Sequence, residues 1–246
     1  MKSIIICTTQ RSGSTLFCKD LNLSQNLGQG GEWFYKLGWT KALNNDHEDL
    51  QEKLTNLLEI CKTKNDIRTI KLMGNYYQKV INNLQKLEPL KKVAFENVLD
   101  IVFQKPLYVR IYRINKVKQA ISLLISRQTG VYHSFQTENV QPDFSKIDLN
   151  IKKVNKVIRE INKGELKWDI FFHKKNIKPI TITYESYIDD PNYYLQKIAN
   201  NLEIKINDID LEKRLNKVSN KINEQYYLNF LRDRESKFHK SNFPLL

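Results

Sequence analysis

Ile4-Ile5-Ile6-Cys7-Thr8-Thr9-Gln10-Arg11-Ser12-Gly13-Ser14-Thr15-Leu16-Phe17 is the stretch from which the fold is read. A short apolar, β-branched run leads into a turn of small and hydroxyl residues, and apolar side chains then resume. That order is a strand, a tight turn and the start of a helix. Such a turn aims consecutive backbone N–H groups and the positive end of a helix dipole at one point, which suits a phosphate-like anion. An ordinary strand-to-helix turn with a Ser or Thr cap has a similar composition, so the stretch alone leaves both readings open.

Laid over G-x-x-x-x-G-K-[ST], the stretch matches at Gly13 and Thr15. Thr8 stands where the first glycine belongs, and Ser14 replaces the lysine. That lysine neutralises charge on the β and γ phosphates of a triphosphate, so its absence argues against ATP or GTP chemistry with magnesium. The positive charge has moved to Arg11. The turn suits a nucleotide whose 5′ end carries one phosphate and one further small anionic group, with Ser12, Ser14 and Thr15 as extra donors.

Length and composition bound the rest. A chain of 246 residues can bury a sizeable core as one domain, so a single domain over 1–246 is expected. No run approaches the ~18–20 apolar residues of a membrane span, and the apolar segment from Met1 to Ile6 is too short for a signal peptide. A soluble, cytoplasmic protein is expected. Three cysteines (Cys7, Cys18, Cys61) are too few and too scattered for a disulfide framework or a zinc site, and the four histidines form no ligand pair at helical spacing, so no metal is expected. The net charge of +13 invites a nucleic-acid reading. The lysines are dispersed, however, and no helix-turn-helix, RNP-like or zinc-finger signature accompanies them. A small polyanionic ligand and general basicity explain the charge, and no nucleic-acid partner is expected.

Short β-rich runs alternate with amphipathic helices along the chain, which predicts a P-loop-like α/β fold: a three-layer α/β/α arrangement with a mainly parallel central sheet and extra helices. Leu50, Leu54, Leu57, Leu58 and Cys61 share a helical face, ahead of a strand from Arg68 to Met73. Val80, Ile81, Leu84 and Leu87 mark a second helix, and a third precedes Pro106. A strand from Leu107 to Tyr112 ends at Arg113, and a helix carrying Val117, Ala120, Ile121, Leu124 and Ile125 follows. A long helix from about Ile151 to Phe172 leads to a strand from Ile180 to Tyr184, and the last sixty residues read as mostly helical. Arg11, Lys71 and Arg113 thus fall near the carboxyl ends of three strands, where a parallel sheet gathers its ligand. In this arrangement Arg113 and Ser122 could face one phosphate group while Lys71 and Arg11 face another.

Several motifs stand in one order: Gln10-Arg11-Ser12-Gly13-Ser14-Thr15-Leu16, Gly28-x-x-x-Glu32-x-Phe34, Lys71-Leu72-Met73, Arg113 with Gln119-Ala120-Ile121-Ser122, and Tyr227 to Arg234 with Phe243-Pro244-Leu245. With them the chain resembles the bacterial trehalose 2-sulfotransferase family from end to end. Thr183-Tyr184-Glu185-Ser186-Tyr187 with Asp189-Asp190-Pro191 is similar to a stretch seen across sulfotransferases. The resemblance implies the sulfotransferase fold and 3′-phosphoadenosine 5′-phosphosulfate (PAPS) as donor, with adenosine 3′,5′-bisphosphate (PAP) as product. It implies that Arg11, Ser12, Gly13, Ser14 and Thr15 hold the 5′-phosphosulfate, and that Arg113 and Ser122, supplemented by Lys217 or Lys221, hold the 3′-phosphate. Lys71 and Arg11 would lie beside the transferring group, where a preorganised cation stabilises charge on the leaving oxygen without a metal.

A base for the acceptor hydroxyl is then required. Leu72, Met73 and Gly74 after Lys71 cannot take a proton, and the resemblance implies Glu32 for that role; a carboxylate in a capping box is the alternative. The chain departs from the family's G-E-P-x-E pattern, reading Gly28-Gln29-Gly30-Gly31-Glu32, which puts trehalose itself in doubt. It also reads Ile114-Asn115 after Arg113, which weakens the 3′-phosphate assignment relative to the 5′ one. Trp33, Phe34, Tyr35 and Trp39 follow the implied base, as stacking platforms for a sugar or glycolipid headgroup or as core. The expected activity is sulfuryl transfer to a hydroxyl of a small carbohydrate or glycolipid acceptor, and the resemblance implies a homodimer. A P-loop nucleotide or small-molecule kinase and a non-catalytic nucleotide-binding protein are the alternatives.

Overall fold

A computed structural model of the protein describes residues 2–41, 47–132, 147–210 and 221–240. Among them, four strands form one parallel sheet: β1 (Lys2–Thr8), β2 (Ile67–Met73), β3 (Leu107–Tyr112) and β4 (Ile180–Thr183), in the order β2-β1-β3-β4. The helices are α1 (Ser14–Leu23), α2 (Trp33–Lys36), α3 (His47–Ile60), α4 (Tyr77–Leu84), α5 (Val98–Val102), α6 (Lys116–Thr129), α7 (Ile151–Lys175), α8 (Tyr184–Asp189), α9 (Pro191–Asn201) and α10 (Lys221–Lys240). The chain leaves β1 for β2 on one side and returns past it to β3 on the other. The carboxyl end of β1 is therefore the switch point at which open α/β sheets form their crevice.

Two compact units are distinguished, residues 1–114 with 163–214 and residues 115–162 with 215–246. The first contains the sheet, and both faces of that sheet are covered, which is why β2 is buried along its whole length. Ile5, Cys7, Ile70, Leu72 and Tyr108 pack on one face with Val80, Ile81, Leu84, Trp168 and Phe171. Ile4, Ile6, Val109, Ile111 and Ile182 pack on the other with Phe17, Cys18 and Leu21 of α1 and Leu195 and Ile198 of α9. The alternation along β1 assigns α1 to a definite face, and with it the start of α1 to the crevice.

Within the same unit, α7 crosses the carboxyl ends of β1 and β2 at backbone distance. A Cβ on Gly74 would lie 2.1 Å from the carbonyl oxygen of Gly164, and one on Gly164 would lie 3.0 Å from Thr9 Cγ2. Glycine in the middle of a helix costs about 0.5–1 kcal/mol relative to alanine, and here it permits that approach. The helix then bonds the turn: Trp168 Nε1 donates to Thr8 O (3.0 Å) and Thr9 Oγ1 donates to Glu165 Oε1 (3.5 Å).

The second unit is built from α6, the first half of α7 and α10, with Ala120, Ile121, Leu124, Val154, Val157, Ile161 and Phe230 as its core. Asn115 caps α6, accepting from Lys118 N (2.9 Å), and Lys118 pairs with Glu224 (2.9 Å).

The elements agree with the sequence expectations in type and order and differ at several ends: Cys61 and Leu87, read on helical faces, lie just past α3 and α4, which end at Ile60 and Leu84. The strand expected to run to Tyr184 stops at Thr183, because the Thr183 hydroxyl accepts from Ser186 N–H (3.0 Å) and starts α8 at Tyr184. Residues 203–210, within the stretch read as mostly helical, form no helix. No helix among the described residues is long and apolar enough to cross a membrane, and none of their His, Cys, Asp and Glu residues form a group of three able to hold a metal ion.

Candidate functional site at the carboxyl end of β1

The turn after β1 takes two residues into the left-handed region, Arg11 at φ 60° and Gly13 at φ 88°. A non-glycine residue there is uncommon and costs about 1–2 kcal/mol. Ser12 between them is fully buried, with its hydroxyl 2.6 Å from that of Thr8, which in turn donates to Ile111 O of β3 (2.9 Å). The turn is thus tied to two adjacent strands. Gly13 is the N-cap of α1 and no side chain caps the helix; Phe17 N makes the first helical bond back to Gly13 O (3.1 Å). No acidic residue lies in the first turn of α1, so no carboxylate of that turn offsets its N–H groups and the positive dipole end. Hydroxyls, amides and cations make up this donor set, and that chemistry fits an anion.

Lys71 does not stand at the tip of its strand. It pairs in register with Ile6, two residues before β2 ends at Met73. Its side chain leaves the sheet on the α1 face and is 3% exposed. A buried ammonium is costly unless paired and hydrogen-bonded. Here Lys71 Nζ donates to Thr15 Oγ1 on α1 (2.9 Å) and pairs with Glu32 Oε1 (2.9 Å). The cation therefore joins the turn to the carboxylate.

The local path of the chain explains why Glu32 is there. β2 is an edge strand, and residues 27–31 run along its open edge. Thr69 Oγ1 donates to Leu27 O (2.5 Å) and Lys71 N donates to Gly31 O (2.9 Å). Covering the edge satisfies backbone groups that would otherwise be open to another chain, and it delivers the next residue, Glu32, beside Lys71. Glu32 occupies the N-cap position of α2 but makes no side-chain cap bond. Its other oxygen, Oε2, accepts from Tyr76 OH (3.1 Å). Burial, then the neighbouring Glu32 charge, raises the Tyr76 phenol well above its usual pKa, so it stays a proton donor. Cys18 lies on α1 nearby; burial pushes its thiol up to about 11 against the opposing pull of Lys71.

The aromatic residues after Glu32 divide. Phe34 and Trp39 are fully buried in the core, whereas Tyr35 is 61% exposed and stacks on Tyr76 with ring centroids 6.3 Å apart.

Arg113 follows β3 directly. Its guanidinium lies 4.8 Å from the centre of the Tyr184 ring, and its Nε lies 3.9 Å from Glu185 Oε1. The same Tyr184 ring packs on the turn, since a Cβ on Gly13 would lie 2.2 Å from Tyr184 Cδ2. Of the residues expected to form the site, Thr15, Lys71 and Glu32 are brought into direct contact, with Ser12, Gly13 and Ser14 in the turn above them. Ser122 belongs to the second unit, where it is buried on α6 and its carbonyl accepts from Ser126 Oγ (2.9 Å). Lys217 lies outside the described residues, as do Phe243, Pro244 and Leu245.

The family model described as Stf0 sulphotransferase matches residues 3–233. The chain belongs to the Stf0 sulphotransferase family. It is the family that the motifs resemble, and membership makes the chain a sulfotransferase with an α/β fold built on a parallel sheet. None of the curated proteins compared with it matches. In this Stf0 sulphotransferase, Tyr76 and Trp168, which no sequence expectation names, also neighbour the site, as do Tyr184 and Glu185, which the sequence marks only as part of the sulfotransferase-like stretch. Tyr76 follows Gly74 by two residues, just past the strand end at which a base is expected. Trp168 was foreshadowed by Gly164, a glycine inside a long helical pattern that marks a close approach.

Proposed function

We propose that this sulfotransferase transfers a sulfuryl group from PAPS to a hydroxyl of a carbohydrate or glycolipid acceptor, with Glu32 as general base. The observation that carries the reading is the buried Lys71 ammonium, 2.9 Å from both Thr15 Oγ1 and Glu32 Oε1. One cation then serves both halves of a transfer between a nucleotide anion and an acceptor hydroxyl.

In this reading Arg11, Ser12, Gly13, Ser14 and Thr15 hold the 5′ end of the donor and Arg113 its 3′-phosphate. The bound donor supplies the electrophilic sulfuryl group and a phosphate leaving group. Lys71 and the N–H groups of α1 are donors fixed in place for negative charge that develops on the leaving oxygen, which is the preorganisation that lowers such barriers. Glu32 takes the proton of the acceptor hydroxyl at a carboxylate oxygen, and Tyr76 OH orients that carboxylate. Tyr35, exposed and stacked beside Tyr76, supports an acceptor with a ring to lay against it. The family match runs through the residues of both units, which supports reading 1–246 as one sulfotransferase domain.

Isothermal titration with adenosine 3′,5′-bisphosphate, and with ATP and magnesium in parallel, tests the donor site. Micromolar binding of the bisphosphate that is lost in Arg11→Ala and Arg113→Ala, with no binding of ATP, is expected. Preference for ATP would replace the reading with a kinase.

A further inference from the structure

The position of Glu185 deepens the proposed nucleotide reading and depends on it. We infer that Glu185 sets the selectivity for a 3′-phosphate by acting as an internal counter-ion to Arg113 that only a ligand anion can displace.

Register brings the partners together. Tyr112 of β3 pairs with Thr183 of β4, so the next residues, Arg113 and Tyr184, emerge side by side at the carboxyl edge of the sheet. Thr183 caps α8, which places Glu185 in the first turn of that helix. The Glu185 carboxylate is fixed by the backbone: Oε2 accepts from Ile114 N–H (3.0 Å), while Oε1 stands 3.9 Å from Arg113 Nε. The Arg113 side chain is 16% exposed and that of Glu185 36%, so the pair sits at the rim of the crevice where a ligand can reach it.

This geometry makes Arg113 a conditional donor. A ribose hydroxyl is neutral and cannot displace a carboxylate from a guanidinium, so a nucleotide without a 3′-phosphate leaves the pair intact and gains little. A 3′-phosphate dianion offers bidentate acceptors to the planar guanidinium and outcompetes one carboxylate. The Tyr184 ring holds the guanidinium on the side of the turn, because the same ring packs on Gly13. Glu185 is thus a selectivity residue that acts through Arg113, and it lowers the absolute affinity that it makes selective.

Glu185→Gln tests this, since the amide oxygen can still accept from Ile114 N–H while the charge is gone. Partly exposed ion pairs carry a factor of roughly five or less, so the Kd for adenosine 3′,5′-bisphosphate is expected to tighten about three- to fivefold. The Kd for adenosine 5′-monophosphate is expected to stay within about twofold. Glu185→Ala also removes the charge and is expected to tighten the same ligand selectively, which covers the case in which the glutamine variant does not fold. An unchanged or weaker bisphosphate Kd in a folded variant overturns the inference, as does equal tightening for both nucleotides. Failure of the unmodified protein to bind the bisphosphate removes the nucleotide reading itself, and the inference falls with it.

Discussion

Replacing Gly13 by alanine tests the cradle at its tightest point. Gly13 sits at φ 88°, and an added Cβ would lie 2.2 Å from Tyr184 Cδ2, 2.9 Å from Cε2 and 3.1 Å from Cγ. The left-handed backbone costs an L-residue about 1–2 kcal/mol. Carbon–carbon contact is comfortable only near ~3.5–4 Å, so the ring must retreat by more than ~1 Å, and overpacking of that kind costs about 1–3 kcal/mol. The two sum to roughly 2–5 kcal/mol. For a chain of this length each kcal/mol moves the midpoint of thermal unfolding by about 2–4 °C, so a fall of ~4–20 °C is expected. Because the displaced ring is also the surface on which Arg113 lies, affinity for adenosine 3′,5′-bisphosphate is expected to drop at least about tenfold, or ~1.4 kcal/mol. The two causes separate in a double-mutant cycle with Tyr184→Ala. With the ring absent, Gly13→Ala keeps only the backbone term, giving a coupling of ~1–3 kcal/mol. Thermal melts and titration of the four proteins measure it. A Gly13→Ala protein that melts and binds like the parent, or a cycle that is additive, would refute the packing of Tyr184 on the turn.

Glu32→Gln keeps an acceptor for Lys71 or Tyr76 and removes the basicity. Transfer of label from radiolabelled PAPS to the best acceptor in a sugar screen is expected to fall about 100- to 10,000-fold, with the bisphosphate Kd within a few-fold of the parent; an active variant would exclude Glu32 as the base. The buried thiols give a pH prediction. Burial pushes Cys18 up to about 11 and Cys61 up to about 12, from 9.0, so only about one Cys18 in a thousand is a thiolate at pH 8 and native protein should resist a thiol reagent that labels the unfolded chain quickly. The folded pKa values lie above the unfolded ones. The protons are thus held more tightly in the folded state, and this stability is fully present below about pH 9 and lost as pH rises from 9 towards 11 and 12. A melting temperature that is flat or rising over that range would contradict the burial of both thiols.

What was legible in the sequence was what sequence-local chemistry decides. The apolar run from Ile4 to Cys7, the small-residue turn and the restart at Leu16 fix β1, the turn and α1 because strand periodicity, turn chemistry and helix start all lie within fifteen residues. The strands at 67–73 and 107–112 and the helix at 151–175 follow from the same periodicities. The strand end differs from the expected Tyr184 by one residue because Tyr suits a strand as well as a helix start, and only the Thr183 cap bond decides between them. The fate of the aromatics after Glu32 was open for another reason. A four-residue helix turns Phe34 into the core and leaves Tyr35 outside, and the turn after it buries Trp39.

The site required more than local chemistry, because its decisive neighbours are distant in sequence. Lys71 reaches Thr15 and Glu32 only because β1 and β2 are in register and because residues 27–31 seal the edge of β2. Tyr184 reaches Gly13 only because β4 lies beside β3, which lies beside β1. Motif spacing marks such residues singly and is silent about which of them touch. The sheet order supplies that missing rule: adjacent strands bring their carboxyl-end residues together in the order β2-β1-β3-β4. Lys71 falls on one side of the turn and Arg113 with Tyr184 on the other. The turn is thus flanked by one cation linked to a carboxylate at Glu32 and another linked to a carboxylate at Glu185. In both, a counter-ion supplied by the chain holds the cation in place, so in the proposed reading an anionic ligand competes with an existing ion pair and is selected by its charge.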